Sequence, residues 1–363
     1  MINHRYRIVD KLGEGGSGQV FLVEDTLKRC QQSAMKILHR EGPSRGLAGE
    51  QFRGEASILA TLHHPNLVRV YDFGFVRKAE DRSLQDRHFL TMEYIDGVTV
   101  DNWYSGLRSD TDRALHLRHI ILQALEVLDH IHRQGIIHFD IKPDNLLLIS
   151  GGEKEHDLPL LKLTDFGFSI TKEAALELPL RGTLEYTAPE LLRREPFDHR
   201  IDLYSLGATL YQLIEGRCPF EAGDPVDLIK KVLTTDPEYG VSSGPGYVGF
   251  LPLLKGLLHK DPSLRYQSAG EAASALVAGA ERPLATAFDH VPSPVFTGRE
   301  NEKKQIGAAI SSLGREHPER PEVALLILGP EGIGKTALLT EMIRFARASD
   351  VPVLDVFYRN RVV

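Results

Sequence analysis

Cysteine is nearly absent: Cys30 and Cys218 are the only two in 363 residues, which argues against a disulfide scaffold and against a cysteine-ligated zinc site. Long apolar runs are missing as well. No stretch reaches the ~18 residues that a membrane span needs, and the opening MINHRYRIVDKLGEGG lacks the apolar core of a secretory signal. The expectation is a cytoplasmic chain with no membrane partner. Positive charge is not in excess either. The 43 Lys+Arg are outnumbered by 50 Asp+Glu, for a net charge of -7, so a general nucleic-acid binder is not expected. No internal repeat of solenoid length is visible. What is present is an ordinary globular composition, 42% hydrophobic and 26% charged, with 32 Gly and 20 Pro. At roughly 100–200 residues per domain, the chain has room for two or three folding units.

Residues 5–38 read as strand, turn, strand, turn, strand, with RYRIVDKLG and QVFLVEDT flanking a Gly-rich turn and QQSAMKIL following. A loop over 41–49 leads into a helical pattern through Ala56, Leu59, Ala60 and Leu62. Two strand-like runs come next, LVRVYDFGF and HFLTMEYI. From Asp112 the period becomes helical, with Leu117, Ile120, Ile121, Ala124, Leu125 and Leu128 on one face. A strand-rich stretch is expected from Ile136 to Phe168, then mainly helices to about Gly279. A strand-rich front and a helix-rich back suggest two lobes with a cleft between them. Proline-punctuated residues 277–293 read as a linker, and a small α/β unit begins near Phe296.

Gly13, Gly15 and Gly18 form G-x-G-x-x-G between two strands, with Val20 just after. Glycines let backbone N–H groups approach phosphate oxygens without side-chain obstruction; alone, the pattern equally fits a hairpin turn. A dinucleotide fingerprint requires the last Gly to open a helix, whereas QVFLVED reads as strand. Lys36 lies on the third strand with apolar flanks that direct its side chain into the cleft. HFDIKPDN (138–145) and LTDFGFS (163–169) add Asp140, Lys142, Asn145 and Asp165. Two carboxylates, an ammonium and an amide on neighbouring loops are the equipment of in-line phosphoryl transfer: a carboxylate for the incoming hydroxyl, a cation for the γ-phosphate and oxygen ligands for Mg²⁺.

In this order, these motifs resemble those of the eukaryotic-like serine/threonine protein kinases, bacterial ones especially, from about Tyr6 to Leu276. The resemblance implies an α+β bilobal protein-kinase-like fold over residues 1–276, with an N-lobe to about 95 and a C-lobe over about 96–276. It implies that Gly13, Gly15, Gly18 and Val20 cover the phosphates of ATP, and that Lys36 holds the α- and β-phosphates and pairs with Glu55. Ala34 would pack on adenine, Met92 would be the gatekeeper, and the backbone of Glu93–Ile95 would bond the base. Asp140 would be the catalytic base, Lys142 the γ-phosphate contact, and Asn145 and Asp165 the Mg²⁺ ligands. Lys142 and Thr183 favour Ser/Thr acceptors in protein substrates. Glu190 is expected to pair with Arg265, and Asp202 matches a structural anchor.

Three departures stand out. The family usually has His-Arg-Asp where this chain has His138-Phe139-Asp140. The Arg normally pairs with a phosphate on the activation segment, and Phe makes no charge-assisted bond. The expectation is activity independent of phosphorylation at Ser169, Thr171 or Thr183. Asn145 and Asp165 lie 20 positions apart, a longer spacing than the family implies, and the polar SGGEKEHDLP between them reads as a hairpin tip. Gly49 and Gly54 soften the helix carrying Glu55, since an interior Gly costs ~1 kcal/mol relative to Ala. The Lys36–Glu55 pair is therefore expected in only some states.

Near the C-terminus, VALLILGPEGIGKTALL holds G-x-x-x-x-G-K-T from Gly329 through Gly334 and Lys335 to Thr336, between an apolar strand and a helical run. That context suits a P-loop, with Lys335 on phosphate oxygens and Thr336 on Mg²⁺. Phe296-Thr297-Gly298-Arg299-Glu300 resembles the opening of AAA-like and STAND ATPases. Residues 294–363 supply no Walker-B strand and are too few for the usual sheet, so a truncated α/β P-loop unit of a longer kinase–NTPase fusion is expected, with self-association through the NTPase region of the parent. The rival reading is a weakly active or pseudokinase nucleotide-binding scaffold whose P-loop unit drives assembly. His63, His64, His130, His132 and His138 read as structural or surface groups. Cys30 and Cys218 sit in strand and loop contexts, Trp103 is expected under the hinge, and Tyr71, Tyr94, Tyr204 and Tyr211 in lobe cores.

Overall fold

A computed structural model describes residues 1–278 except 16–17, 29, 40–58, 108–109, 151–157, 166–183 and 241–244. All of these belong to the first of two units into which the chain divides, Met1–Pro283. Glu55 and its helix, Ser169, Thr171, Thr183, the linker, and the P-loop residues Gly329, Gly334, Lys335 and Thr336 lie outside the described residues.

The first lobe is a five-stranded antiparallel sheet of order β1-β2-β3-β5-β4, from β1 (Tyr6–Gly15), β2 (Gly18–Asp25), β3 (Gln31–Leu38), β4 (Val70–Phe75) and β5 (His88–Met92). Central strand β3 is buried on both faces from Ser33 to Ile37. The pleat alternates its side chains. Met35 and Ile37 join Tyr6, Phe21, Val23 and Phe89 in one core, which leaves Ala34 and Lys36 to share the opposite face. This alternation, set by the sequence SAMKIL, is what aims a lysine into the cleft. Gly18 permits the close β2–β3 approach: a Cβ there would lie 2.3 Å from the Ile37 carbonyl oxygen.

A small second sheet, ordered β6-β7-β8, joins β6 (Val98–Thr99), β7 (Leu146–Ile149) and β8 (Leu160–Leu163). The second lobe is otherwise helical: α1 (Val100–Gly106), α2 (Asp110–Arg133), α3 (Pro189–Leu192), α4 (Arg200–Glu215), α5 (Pro225–Thr234), α6 (Leu251–Leu257) and α7 (Ala269–Ala278). The predicted apolar face of α2 is buried from Leu117 to Leu128. Helix α4 is apolar nearly all round and correspondingly interior, ending where Gly216 turns left-handed at φ +71°. Pro225 opens α5 behind Asp224, whose carboxylate caps the N–H groups of Val226 and Asp227. Arg265 and Glu190, both buried, meet in two parallel bonds of 2.6 and 2.7 Å, as expected.

Several expectations need correction. Among the described residues between Ile136 and Phe168, only Leu146–Ile149 and Leu160–Leu163 are strands; residues 136–142 form a loop in which the His138 and Phe139 N–H groups turn to a side chain, described below, instead of a ladder, and Pro143–Asn145 is a 3-10 turn. The antiparallel register from Leu146↔Leu163 to Ile149↔Leu160 brackets the polar insert, residues 151–157 of which are outside the described residues. Cys30 occupies the turn before β3, at φ +58°. Tyr204 and Tyr211 are core residues, but Tyr71 and Tyr94 are only half-buried. Trp103 lies on α1 with its ring edge-to-face on His116. Among the described residues no helix is long and apolar enough to cross a membrane.

Candidate active site

The loop after α2 carries Asp140, and it is organised by Asp202 of α4. This carboxylate is fully buried and accepts the backbone N–H groups of His138 (2.8 Å) and Phe139 (2.9 Å), plus the His132 Nε2–H (2.8 Å). Burial pushes the Asp202 carboxyl up, but the His132 hydrogen bond, nearby imidazoles and the backbone bond more than offset it, holding it below the usual carboxylate range. Two backbone donors on one side chain explain how Phe139 sustains φ +69°, a conformation that bulky residues rarely adopt. Burial lowers His138 below the ordinary imidazole value despite Asp202, Asp140 and Asp165. Its Nε2 lies 3.1 Å from the Thr164 carbonyl, so the neutral ring, with the proton assigned to Nε2, bridges the loop to the segment carrying Asp165.

Asp140, Lys142 and Asn145 converge directly. Lys142 Nζ is 2.9 Å from Asp140 Oδ2. The Asn145 amide donates to the Asp140 carbonyl (2.7 Å) and to its Oδ2 (2.9 Å). Both amide N–H groups are thereby spent on Asp140, and the Asn145 amide oxygen is the group left to offer a cation. Thr164 N–H bonds the Asn145 carbonyl at 3.0 Å, so Asp165, at φ +60°, follows from a fixed point. Lys36, 3% exposed, forms an ion pair with Asp165. The two ends of the chemistry, one from each lobe, therefore meet.

Above them lies an apolar slot. Ala34, Val68 and Met92 are buried together, with Val20 and Ile95 packed against them; the adjoining cavity is lined by Lys36, Leu59, Val68, Val70, Leu90, Met92 and Asp165. Strand register explains the grouping, since Ala34 faces Met92 and Val20 faces Lys36. Gly13 pairs with Val20 and Gly15 with Gly18 at the turn end of the β1–β2 hairpin. A Cβ at Gly13 or Gly15 would meet nothing within 4 Å, so the protein's own packing does not require glycine there. A ligand lying close to the backbone would.

The residues fit a magnesium nucleotide: an apolar slot for a base, a lysine and bare backbone for phosphates, and one carboxylate and one amide oxygen for the metal. Mg²⁺ commonly binds through one or two carboxylates together with phosphate oxygens. Three contributors escaped the sequence reading. Val68 lines the slot from outside any motif. Phe197 meets Phe139 edge-to-face at 5.7 Å. Lys162 forks onto both carboxylate oxygens of Glu93 at 2.9 Å. A Lys three positions before the aspartate of LTDFG was visible, but nothing marked its partner.

The family model described as protein kinase domain matches residues 6–276. The chain is 33% identical to the serine/threonine-protein kinase pkn2 of Myxococcus xanthus over 287 residues, covering 77% of this chain and 33% of that protein. It is 34% identical to PknB of Mycobacterium tuberculosis over 284 residues, 76% of this chain and 43% of PknB. With PknJ of the same organism the identity is 34% over 293 residues, 76% and 46% of the two chains. The matched part thus spans less than half the length of these relatives. With the two-lobed fold and the convergence of Lys36, Asp140, Lys142, Asn145 and Asp165, the chain belongs to the protein kinase family, in the company of bacterial serine/threonine kinases.

Proposed function

We propose that this chain transfers the γ-phosphoryl group of Mg-ATP to Ser or Thr hydroxyls of proteins. The observation that carries the reading is the bonded cluster of Asp140, Lys142 and Asn145, set against the Lys36–Asp165 pair. Protein kinases of this family use ATP and Mg²⁺. Asp140 orients the incoming hydroxyl and accepts its proton as the new O–P bond forms and the bond from the γ-phosphorus to the bridging oxygen breaks, with ADP as the leaving group. Lys142, already beside Asp140, offers its ammonium to the transferring group. Asn145 and Asp165 would hold Mg²⁺, which when bound neutralises phosphate charge. Lys36, paired with Asp165, contacts the α- and β-phosphates, and Gly13, Gly15, Gly18 and Val20 cover them. Ala34, Val68 and Met92 enclose the base, which the backbone of Glu93 and Ile95 bonds. Catalysis on this reading is positioning plus electrostatics, with no covalent intermediate on the protein.

Residues 1–276 form the kinase domain, 277–293 a linker, and 294–363 the start of an AAA/STAND-type P-loop NTPase, in which Gly329, Gly334, Lys335 and Thr336 face phosphate. The longer parent works in cytoplasmic signalling and self-associates through that region. Glu55 is the further partner of Lys36. Labelled phosphate transfer from Mg-ATP, to the protein itself and to a generic basic acceptor, tests the reading in wild type, Asp140→Asn and Lys335→Ala. Label on Ser or Thr that is lost in Asp140→Asn and kept in Lys335→Ala is the expected result. Transfer that survives in Asp140→Asn contradicts it.

A further inference from the structure

Lys162 is an unusual residue to find inside a strand: it sits on β8, 8% exposed, with Leu161 and Leu163 also buried beside it. A buried ammonium needs a strong partner, and Lys162 has one in Glu93, whose two carboxylate oxygens each accept from Nζ at 2.9 Å. Glu93 directly follows β5, where the chain leaves the sheet for the helical lobe. It is also bonded to Arg69 in both directions, its backbone N–H to the Arg69 carbonyl at 2.8 Å and its Oε2 from the Arg69 N–H at 3.3 Å. One carboxylate thus joins the segment before β4, the hinge and β8.

The other bonds of β8 extend the frame. Leu163 donates to the Asn66 carbonyl (2.8 Å) and accepts from Val68 N–H (3.0 Å), while the Asn66 amide reaches the Leu161 carbonyl (2.9 Å) and Gln123 Oε1 (2.6 Å). Val68 and Met92 wall the base slot. At its far end β8 runs into Thr164, bonded to Asn145, and Asp165. The base slot and the cation ligands are therefore two ends of one framework, and the Lys162–Glu93 pair is its charged cross-member. His64 lies behind the pair. Burial, with the charges of His130 and Lys162, pushes its imidazole down to about 4, so it adds no second cation to compete for Glu93 at neutral pH. Lys162 is not among the residues lining the cavity.

We infer that Lys162 and Glu93 are a positioning pair that fixes the hinge against β8 and thereby sets nucleotide affinity, with no part in the transfer step. The inference rests on the nucleotide-site reading above. It is tested by titrating the full chain with fluorescent N-methylanthraniloyl-ADP and Mg²⁺, alongside phosphotransfer at varied ATP, for wild type, Lys162→Met, Lys162→Arg, Glu93→Gln and the double variant Glu93→Gln/Lys162→Met. Lys162→Met is expected to weaken binding roughly 5–20-fold, within the span of coupled neighbours, and to raise KM for ATP in step while kcat stays within about twofold. Lys162→Arg, which keeps the charge, should restore most of the affinity, and the double variant should be no weaker than Lys162→Met alone.

Binding within twofold of wild type in a folded Lys162→Met overturns the inference. So do equal losses in Lys162→Met and Lys162→Arg, or fully additive losses in the double variant. Thermal unfolding separates a role in stability only, which would lower Tm without moving the titration and would also overturn it. Binding is read without phosphotransfer, so a wild type that binds but does not transfer counts against the kinase reading alone.

Discussion

In the catalytic loop, Asp140 and Asn145 are five positions apart and bonded to each other, and the Asp202 carboxylate takes the two backbone N–H groups just before Asp140. At the hinge, Glu93 is held by Arg69, 24 positions away, and by Lys162, 69 positions away. The first arrangement is short in sequence and is organised about one buried carboxylate. The second is assembled from three elements that meet only in the folded protein. Damage to the loop should therefore reach the reacting atoms directly and reduce turnover, whereas damage at the hinge should alter how well the nucleotide is held. Turnover and affinity become separable properties of the two regions.

The largest effect should come from Asp140→Asn. Loss of the proton acceptor is expected to lower kcat by about 10²–10⁴-fold, with Mg-nucleotide binding little changed, as read by single-turnover transfer and by titration. Next is Asp202→Asn. An amide presents N–H where a backbone donor needs an acceptor, so one of the His138 and Phe139 N–H groups loses its bond. A charge-assisted bond is worth about 1.5–3 kcal/mol, and kcat should fall roughly 10–100-fold with KM for ATP nearly constant. A comparable rise in KM would erase the distinction between the regions.

Acid should affect both regions through stability. Burial holds His138 in the loop and His64, at about 4, behind the hinge below the ordinary imidazole value, and His119 and His130 are lowered as well. The unfolded chain then binds more protons than the folded one below about 6.5. Stability from these groups is complete above that pH and is lost as pH falls through 6.5 towards 4. Urea midpoints should decline over this window, and His64→Asn should make the decline shallower. The smallest effect is expected at Phe197. Its edge-to-face contact with Phe139 is worth ~0.5–1.5 kcal/mol, so Phe197→Ala should lower kcat only severalfold. Ser169→Ala/Thr171→Ala, in a segment outside the described residues, should retain activity, because Phe139 offers no cation to a phosphate there.

The same contrast explains what was legible in the sequence. Asp140, Lys142, Asn145 and Asp165 stood out because their chemistry is concentrated in two short loops, and the pleat of SAMKIL was enough to aim Lys36. The stretch opening at Ile136 misled, reading as strand, because Ile136 N–H turns back to the Ile131 carbonyl of α2 and the acceptor for the His138 and Phe139 N–H groups lies on α4 some sixty positions later. Lys162–Glu93 and Phe139–Phe197 left no mark, since a single long-range contact has no periodicity. Val68 was missed for the same reason: one valine among several becomes a slot wall only once β8 bonds it. Glu190–Arg265 was anticipated through family resemblance and not from spacing.

The most direct test of this account is a full ATP-dependence of phosphotransfer, with Mg-nucleotide binding, for wild type, Asp140→Asn and Lys162→Met side by side. The account predicts that Asp140→Asn loses kcat while keeping its affinity, and that Lys162→Met loses affinity while keeping kcat. If both variants lose both quantities together, or if Asp140→Asn still transfers phosphate at the wild-type rate, the account is contradicted.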